Sequence, residues 1–177
     1  MVKLTTADKV AAVAPDIRAK IAKRSRTKGS NYEREVAKKI ANYFGEEWSS
    51  CFFRTKPHGM AQPNGDIQPI NKMYDRWRGA KLGPIECKNR AVWSFDQLFK
   101  NPERSELYRY WKKSNEDTKS NNTVLVFTKN GVSDFVMTVD SVCAVAPYLL
   151  VVIPFDAKLI IQTLPNFLAA NFFIQVK

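Results

Sequence analysis

The sequence predicts a mixed α/β domain whose central sheet is covered by helices, and three observations carry that expectation. Segments with a helical apolar period and short β-branched or aromatic runs follow one another as helix, three strands, helix, two strands and a mixed tail. Hydrophobic residues make up 45% and aromatics 12%, enough to bury a proper core and to exclude a disordered chain. The candidate strands are separated by Pro-, Gly- and Asn-rich stretches, the punctuation of turns.

Taken in order, residues 1–27 read as a basic N-terminal arm and residues 28–177 as the domain. Ala7 to Ala14 suits a short helix, Pro15 interrupts or restarts it, and Asp16 to Arg24 continues helically into KRSRTKGS, which reads as a polar linker or a segment that tracks a nucleic-acid strand. Ser30 then offers an N-cap with Glu33 at capping-box spacing. Tyr32, Val36, Ile40 and Tyr43/Phe44 fall on one stripe of the helix that follows, and Gly45 closes it.

SCFFRT, from Ser50 to Thr55, reads as the first strand, and the loop KPHGMAQPNG delivers Asp66 at the head of the second, DIQPI. A connection containing DRWRGAKLG leads to the third strand, PIECK. Glu103 to Ser114 reads as a helix with Leu107, Tyr110 and Trp111 on its apolar stripe, and NEDTKSNN as a loop. Thr123–Thr128 and Asp134–Val139 are strands joined by Lys129-Asn130-Gly131, a hairpin signal. The remaining tail is apolar and poorly patterned, and Phe167, Phe172, Phe173 and Ile174 make it either a dimer surface or, equally, the completion of the core.

Charge narrows the partners. The formal net charge is +11, and it is uneven. Residues 1–28 hold eight Lys/Arg against two Asp, residues 29–119 hold seventeen basic against twelve acidic, and residues 120–177 hold three of each. A basic field confined to the first two thirds is the footprint of a phosphate-backbone binder, so nucleic acid is the expected partner. Cys51, Cys87 and Cys143 are scattered without a CxxC, which points to reduced thiols rather than structural zinc. No apolar run has membrane-spanning length and the first residues lack a signal-peptide core, so no membrane partner and a cytoplasmic location are expected.

Three acids and a lysine have addresses that suggest chemistry. Glu33 lies on the first long helix, and Asp66 opens the second strand. Glu86 and Lys88 share one face of the third while Ile85 and Cys87 share the other. If the second and third strands pair, Asp66 and Glu86 can hold one hard divalent cation, Mg²⁺ with Mn²⁺ as substitute, and the Cys87 carbonyl can complete the protein's share. Lys88 would then orient a water or balance charge growing on a phosphate. The plain alternative for Glu86 and Lys88 is an edge-strand ion pair.

With these residues in view, the chain resembles the PD-(D/E)xK nuclease superfamily. More narrowly it resembles the archaeal-type Holliday junction resolvases that some phages and viruses also carry. The matching residues are KGSNYERE from Lys28 to Glu35, Arg54, Gly65-Asp66-Ile67 and Ile85-Glu86-Cys87-Lys88, and the likeness runs from about Lys28 through Val139. It implies a restriction-endonuclease-like fold with a central mixed sheet. It implies Glu33, Asp66 and Glu86 as the acidic set, with Glu33 acting through water, and Lys88 as the catalytic lysine. Arg34 and Arg54 become phosphate contacts. Activity would be that of a Mg²⁺-dependent homodimer making paired nicks at four-way DNA junctions, in a host cytoplasm if the chain is a phage's.

Lys28, Lys56, His58, Arg76, Arg78 and Arg90 complete the expected DNA-binding set, and Arg76-Trp77-Arg78 reads either as a stacking unit or, equally, as an aromatic folded back onto the core. The resolvases usually have a short serine-bearing loop before the metal aspartate, where this chain has the longer KPHGMAQPNG, and residues 1–27 have no counterpart in them. Two other readings therefore stand beside the resolvase: a restriction-like, flap or repair nuclease acting on linear or single-stranded DNA, and a non-catalytic nucleic-acid binder.

Overall fold

The computed structural model describes residues 15–55, 65–91, 93–129, 132–144, 146–153 and 156–172. Lys56 and His58, like Phe173 and Ile174, lie outside the described residues, as does the helix expected over 7–14.

The first helix, α1, runs unbroken from Pro15 to Tyr43. Pro15 is its first residue, where the missing N–H has no intrahelical partner to lose. KRSRTKGS is therefore helix, not linker, and Ser30 and Glu33 are interior residues rather than a capping box. The reason is local: residues 16–28 are mostly Ala, Ile, Lys and Arg with no proline, and such residues propagate a helix through a cap-like sequence. The predicted apolar stripe is real, with Tyr32, Val36, Ile40 and Ala41 at most 2% exposed.

A short α2 (Trp48–Cys51) leads into β1 (Phe52–Arg54), then β2 (Ile67–Pro69). The connection with DRWRGAKLG is helical: α3 spans Asn71–Gly79, with Met73 and Trp77 buried beneath it. After β3 (Ile85–Asn89) come α4 (Phe95–Lys100), a 3-10 turn (Pro102–Arg104) and α5 (Glu106–Thr118). Ser105 caps α5 by accepting from Tyr108 N, so the helix starts at Glu106 and absorbs part of the expected NEDTKSNN loop. β4 (Val124–Thr128) and β5 (Phe135–Val139) pair antiparallel as the hairpin signal predicts. The poorly patterned tail forms β6 (Leu149–Ile153), β7 (Ala157–Thr163) and α6 (Leu164–Asn171).

One seven-stranded sheet results, in the order β1-β2-β3-β4-β5-β7-β6. Among the strand pairs described, β3 and β4 alone form a parallel ladder, because α4 and α5 carry the chain over the sheet between them. Each face has its own core. Tyr32, Val36 and Ile40 of α1, Trp77 of α3 and Phe167 of α6 pack with Ile67, Ile85 and Cys87 on one face. On the other, Trp93 and Leu98, Leu107 and Trp111 pack with Leu125, Phe127, Leu159 and Ile161. This is the helix-covered mixed sheet the sequence predicts. Phe167 and Phe172 finish the core, 0% and 8% exposed, so they do not form the dimer surface that their apolarity suggested. Among the described residues near the C-terminus, the exposed large apolar side chains are Tyr148, Leu149, Leu150 and Val152, on and beside the edge strand β6.

Candidate active site

The site is built where β2 and β3 meet, and the pairing there is minimal. The ladder between them holds a single register pair, Ile67↔Ile85. Gly65 precedes it with φ +71°, in the left-handed region, and a Cβ there would stand 2.4 Å from the Ile85 carbonyl oxygen. Only glycine allows that approach. Asp66 N then donates to Ile85 O at 2.8 Å, and Asp66 Oδ2 accepts from Cys87 N at 2.8 Å. The aspartate side chain thus replaces the next backbone partner of β3. In an extended strand the N–H and C=O of one residue face the same edge, so the Cys87 carbonyl lies on the Asp66 side.

Glu86 and Lys88 lie on the face of β3 opposite Ile85 and Cys87, as alternation requires, in register with Leu125 and Phe127 of β4. Lys88 Nζ pairs with Glu86 Oε1 and stands 3.7 Å from Asp66 Oδ2. Burial, and then the neighbouring Asp66 charge, push the Glu86 carboxyl up to about 7. For Lys88, burial pulls the amine down, but the Glu86 and Asp66 carboxylates outweigh it and the net direction is upward.

Glu33 reaches the site from α1, yet its carboxylate is engaged elsewhere. Arg54 Nε of β1 donates to Glu33 Oε2, and Arg54 Nη2 donates to Ser30 Oγ at 2.6 Å. Burial raises the Glu33 pKa; the Arg54 hydrogen bond opposes this, while the Asp66 charge adds to it. Among the described residues, no three His, Cys, Asp or Glu side chains are grouped to hold a metal ion. The expected acidic triplet thus resolves into a pair, Asp66 and Glu86 around Lys88, with Glu33 one layer out.

The pair still suits a hard cation. Two carboxylates share one ammonium, and one of them is driven toward protonation, so the cluster is short of positive charge. Two carboxylates and one strand-edge carbonyl match the share of Mg²⁺ coordination that proteins usually supply, with waters making up the rest.

The expected DNA contacts separate into groups. Arg54 is tied to the site through Glu33. Arg34 is exposed on α1 and donates to Asn31 Oδ1 at 3.1 Å, and Arg90 is exposed just after β3. Lys28 lines a groove beside the end of β3. Arg76 and Arg78 belong to α3 and do not form a stacking unit with Trp77. Arg76 lies over the Phe44 ring, and Arg78 lines a separate groove with Tyr74 and Lys81. The Trp77 ring is buried against Phe167 and Phe172, with its Nε1 donating to Gly83 O. An aromatic at the i+4 position from Met73 was the sign that this segment is a helix with a buried face.

Sequence reasoning missed Ser30, which had been read as a cap and is an Arg54 acceptor.

A mixed sheet between helical layers, with Asp66 just before one strand and Glu86-x-Lys88 on its neighbour, is the arrangement that the resemblance to PD-(D/E)xK nucleases leads one to expect. Residues 24–158, about three quarters of the chain, match the model of the family described as "Phage putative PDDEXK endonuclease". The chain belongs to that family. Searches of the curated proteins and of the solved structures found no match. No helix among the described residues is long and apolar enough to cross a membrane.

Proposed function

We propose that the protein is a divalent-metal-dependent DNA endonuclease that makes paired nicks at branched DNA, with the four-way junction as preferred substrate and a homodimer as working unit. The observation that supports it best is the convergence of Asp66, Glu86 and Lys88 at the gap between β2 and β3. Asp66, Glu86 and the Cys87 carbonyl would hold Mg²⁺ or Mn²⁺. When bound, the ion polarises a phosphate oxygen and lowers the pKa of a water.

The chain's own residues do the rest. Lys88 presents an ammonium to the negative charge that develops on the phosphate oxygens and orients the attacking water. The Asp66 hydrogen bond to Cys87 N fixes one carboxylate oxygen in place. Glu33 and Ser30 hold the Arg54 guanidinium beside the cluster, where it meets a flanking phosphate. The basic, exposed first half of α1 supplies sequence-independent affinity for the backbone, which suits recognition by shape.

The deciding experiment incubates the protein with a synthetic four-way junction, a flap, a single strand and a linear duplex, with and without Mg²⁺. Symmetric paired nicks in the junction, stopped by EDTA, are expected. Cleavage confined to linear or single-stranded DNA would instead favour the second reading, a restriction-like or repair nuclease. The long segment between Arg54 and Asp66, unlike the resolvase pattern, favours that reading. Metal-independent binding with no product on any substrate would overturn both.

A further inference from the structure

Phe53, the middle residue of β1, is 55% exposed, while its neighbour Phe52 is 3% exposed. Alternation explains the split: Phe52 packs in the core beneath α1, so Phe53 points to the opposite face of the sheet. That is also the face of Glu86, because Ile85 and Cys87 pack in the α1 core. The apolar core on the Glu86 face draws its strand residues from β4 to β7 and, among the described residues, takes none from β1, β2 or β3. Phe53 and Glu86 therefore share a stretch of sheet outside that packing. Register gives their separation. Phe53 pairs with Gln68 and Ile67 with Ile85, so Phe53 stands two strands and two residues from Glu86. With strands about 4.8 Å apart and residues advancing about 3.4 Å, that is about 12 Å. Along a duplex, where each nucleotide advances about 3.4 Å, it is about three to four nucleotides.

A phenyl ring offers nothing to a phosphate. What it takes from DNA is the face of a base, and every base has one. In an intact duplex those faces are stacked on one another, and separating them costs energy. A branch point or a single strand presents them open. We propose that Phe53 is a stacking contact of this nuclease, taking the face of an unstacked base a few nucleotides from the cleaved phosphate, and so selects branched or single-stranded DNA over linear duplex. The cations of α1 read the backbone alone, whereas Phe53 reads whether the bases are stacked. The inference rests on the nuclease reading for its substrate, but its test does not need cleavage.

Binding is measured by fluorescence anisotropy without Mg²⁺, over a range of salt, with three labelled DNAs of equal length: oligo(dT), an abasic strand and a linear duplex. The two single strands carry the same phosphates, and only oligo(dT) carries bases. The wild-type protein is expected to hold oligo(dT) at least about fivefold more tightly than the abasic strand, the lower end of what one stacked base contributes. Phe53→Ala should erase that gap while leaving the salt slope and the affinity for duplex unchanged. Phe53→Trp should keep the gap, since an indole stacks as well as a phenyl ring. The ring is exposed, so neither change disturbs the core. Equal wild-type affinity for the two single strands, or a gap that survives Phe53→Ala, overturns the stacking contact. So does a Phe53→Ala variant that loses duplex and oligo(dT) alike. A change in molecular mass by light scattering in that variant would assign the ring to a protein interface and overturn the proposal as well. A protein that shows the expected binding yet cleaves nothing with Mg²⁺ sinks the nuclease reading and leaves the stacking contact standing.

Discussion

The two ends of the sheet are built differently. At one end, β1 and β2 are three residues long, and β2 meets β3 through one register pair. At the other, β7 has seven residues and pairs through five positions with β5 on one side and five with β6 on the other. Leu159 and Ile161 there are at most 1% exposed, whereas Asp66, Glu86, Lys88 and Arg54 all sit half-buried at the short end. The long end supplies stability through ordinary ladders and apolar packing. The short end leaves strand edges open, and a carboxylate fills the gap that a backbone partner would otherwise take. Incomplete pairing is what lets charged groups gather at a sheet without being sealed inside it.

That contrast can be broken from either end. The largest effect is expected from Asp66→Asn and Glu86→Gln, which should lower the cleavage rate by about 10²–10⁴ with DNA binding retained, read by junction cleavage beside anisotropy. Wild-type cleavage by either variant would remove the pair from the site. At the opposite end, Leu159→Ala should cost about 2–5 kcal/mol of stability in urea denaturation, with cleavage per folded molecule unchanged.

Gly65→Ala should couple the two quantities. A methyl facing the Ile85 carbonyl in a left-handed conformation should cost about 1–3 kcal/mol and displace Asp66, so melting temperature and cleavage should fall together. Loss of stability with full cleavage would show that Asp66 needs no such anchor.

The subtlest test is the pH dependence of the metal-free protein. The folded Glu86 carboxyl titrates near 7, above its ordinary value of 4.5, so the unfolded chain releases the proton first. Glu86 therefore lowers stability as pH rises from about 4.5 to 7 and has no further effect above that. Glu86→Gln should flatten this slope in thermal melts across that window. Because a cation competes with the proton for the same oxygens, Mg²⁺ should raise the melting temperature of the wild type more above pH 7 than below it. An equal Mg²⁺ effect on both sides would move the cation away from Glu86.

Much of this was legible in the chain. The stripe Tyr32, Val36, Ile40 fixed which side of α1 is buried, and period-two alternation placed Glu86 and Lys88 together, away from Cys87. The β4–β5 hairpin followed from a turn signal between two apolar runs. What failed were signals with two meanings. A serine three residues before a glutamate reads as a cap, yet within good helix formers it is simply more helix. Trp77 between two arginines reads as a stacking platform, but α3 turns its ring inward while Arg76 and Arg78 stay outside. In the tail, β6 and β7 carry too little alternation to betray their faces, because β7 is covered on both sides.

By itself the sequence determined the buried stripe of α1 and the shared facing of Glu86 and Lys88 on β3, which depend on neighbours a few residues apart, and the basic bias of the first two thirds, which depends on composition alone. Only the tertiary structure decided that Asp66 bonds the Cys87 amide, that Glu33 turns to Arg54, and that Asn89 closes a groove with α1. Those contacts join residues 21 or more positions apart. Their geometry is set by how the helices and sheet pack, which no local periodicity encodes.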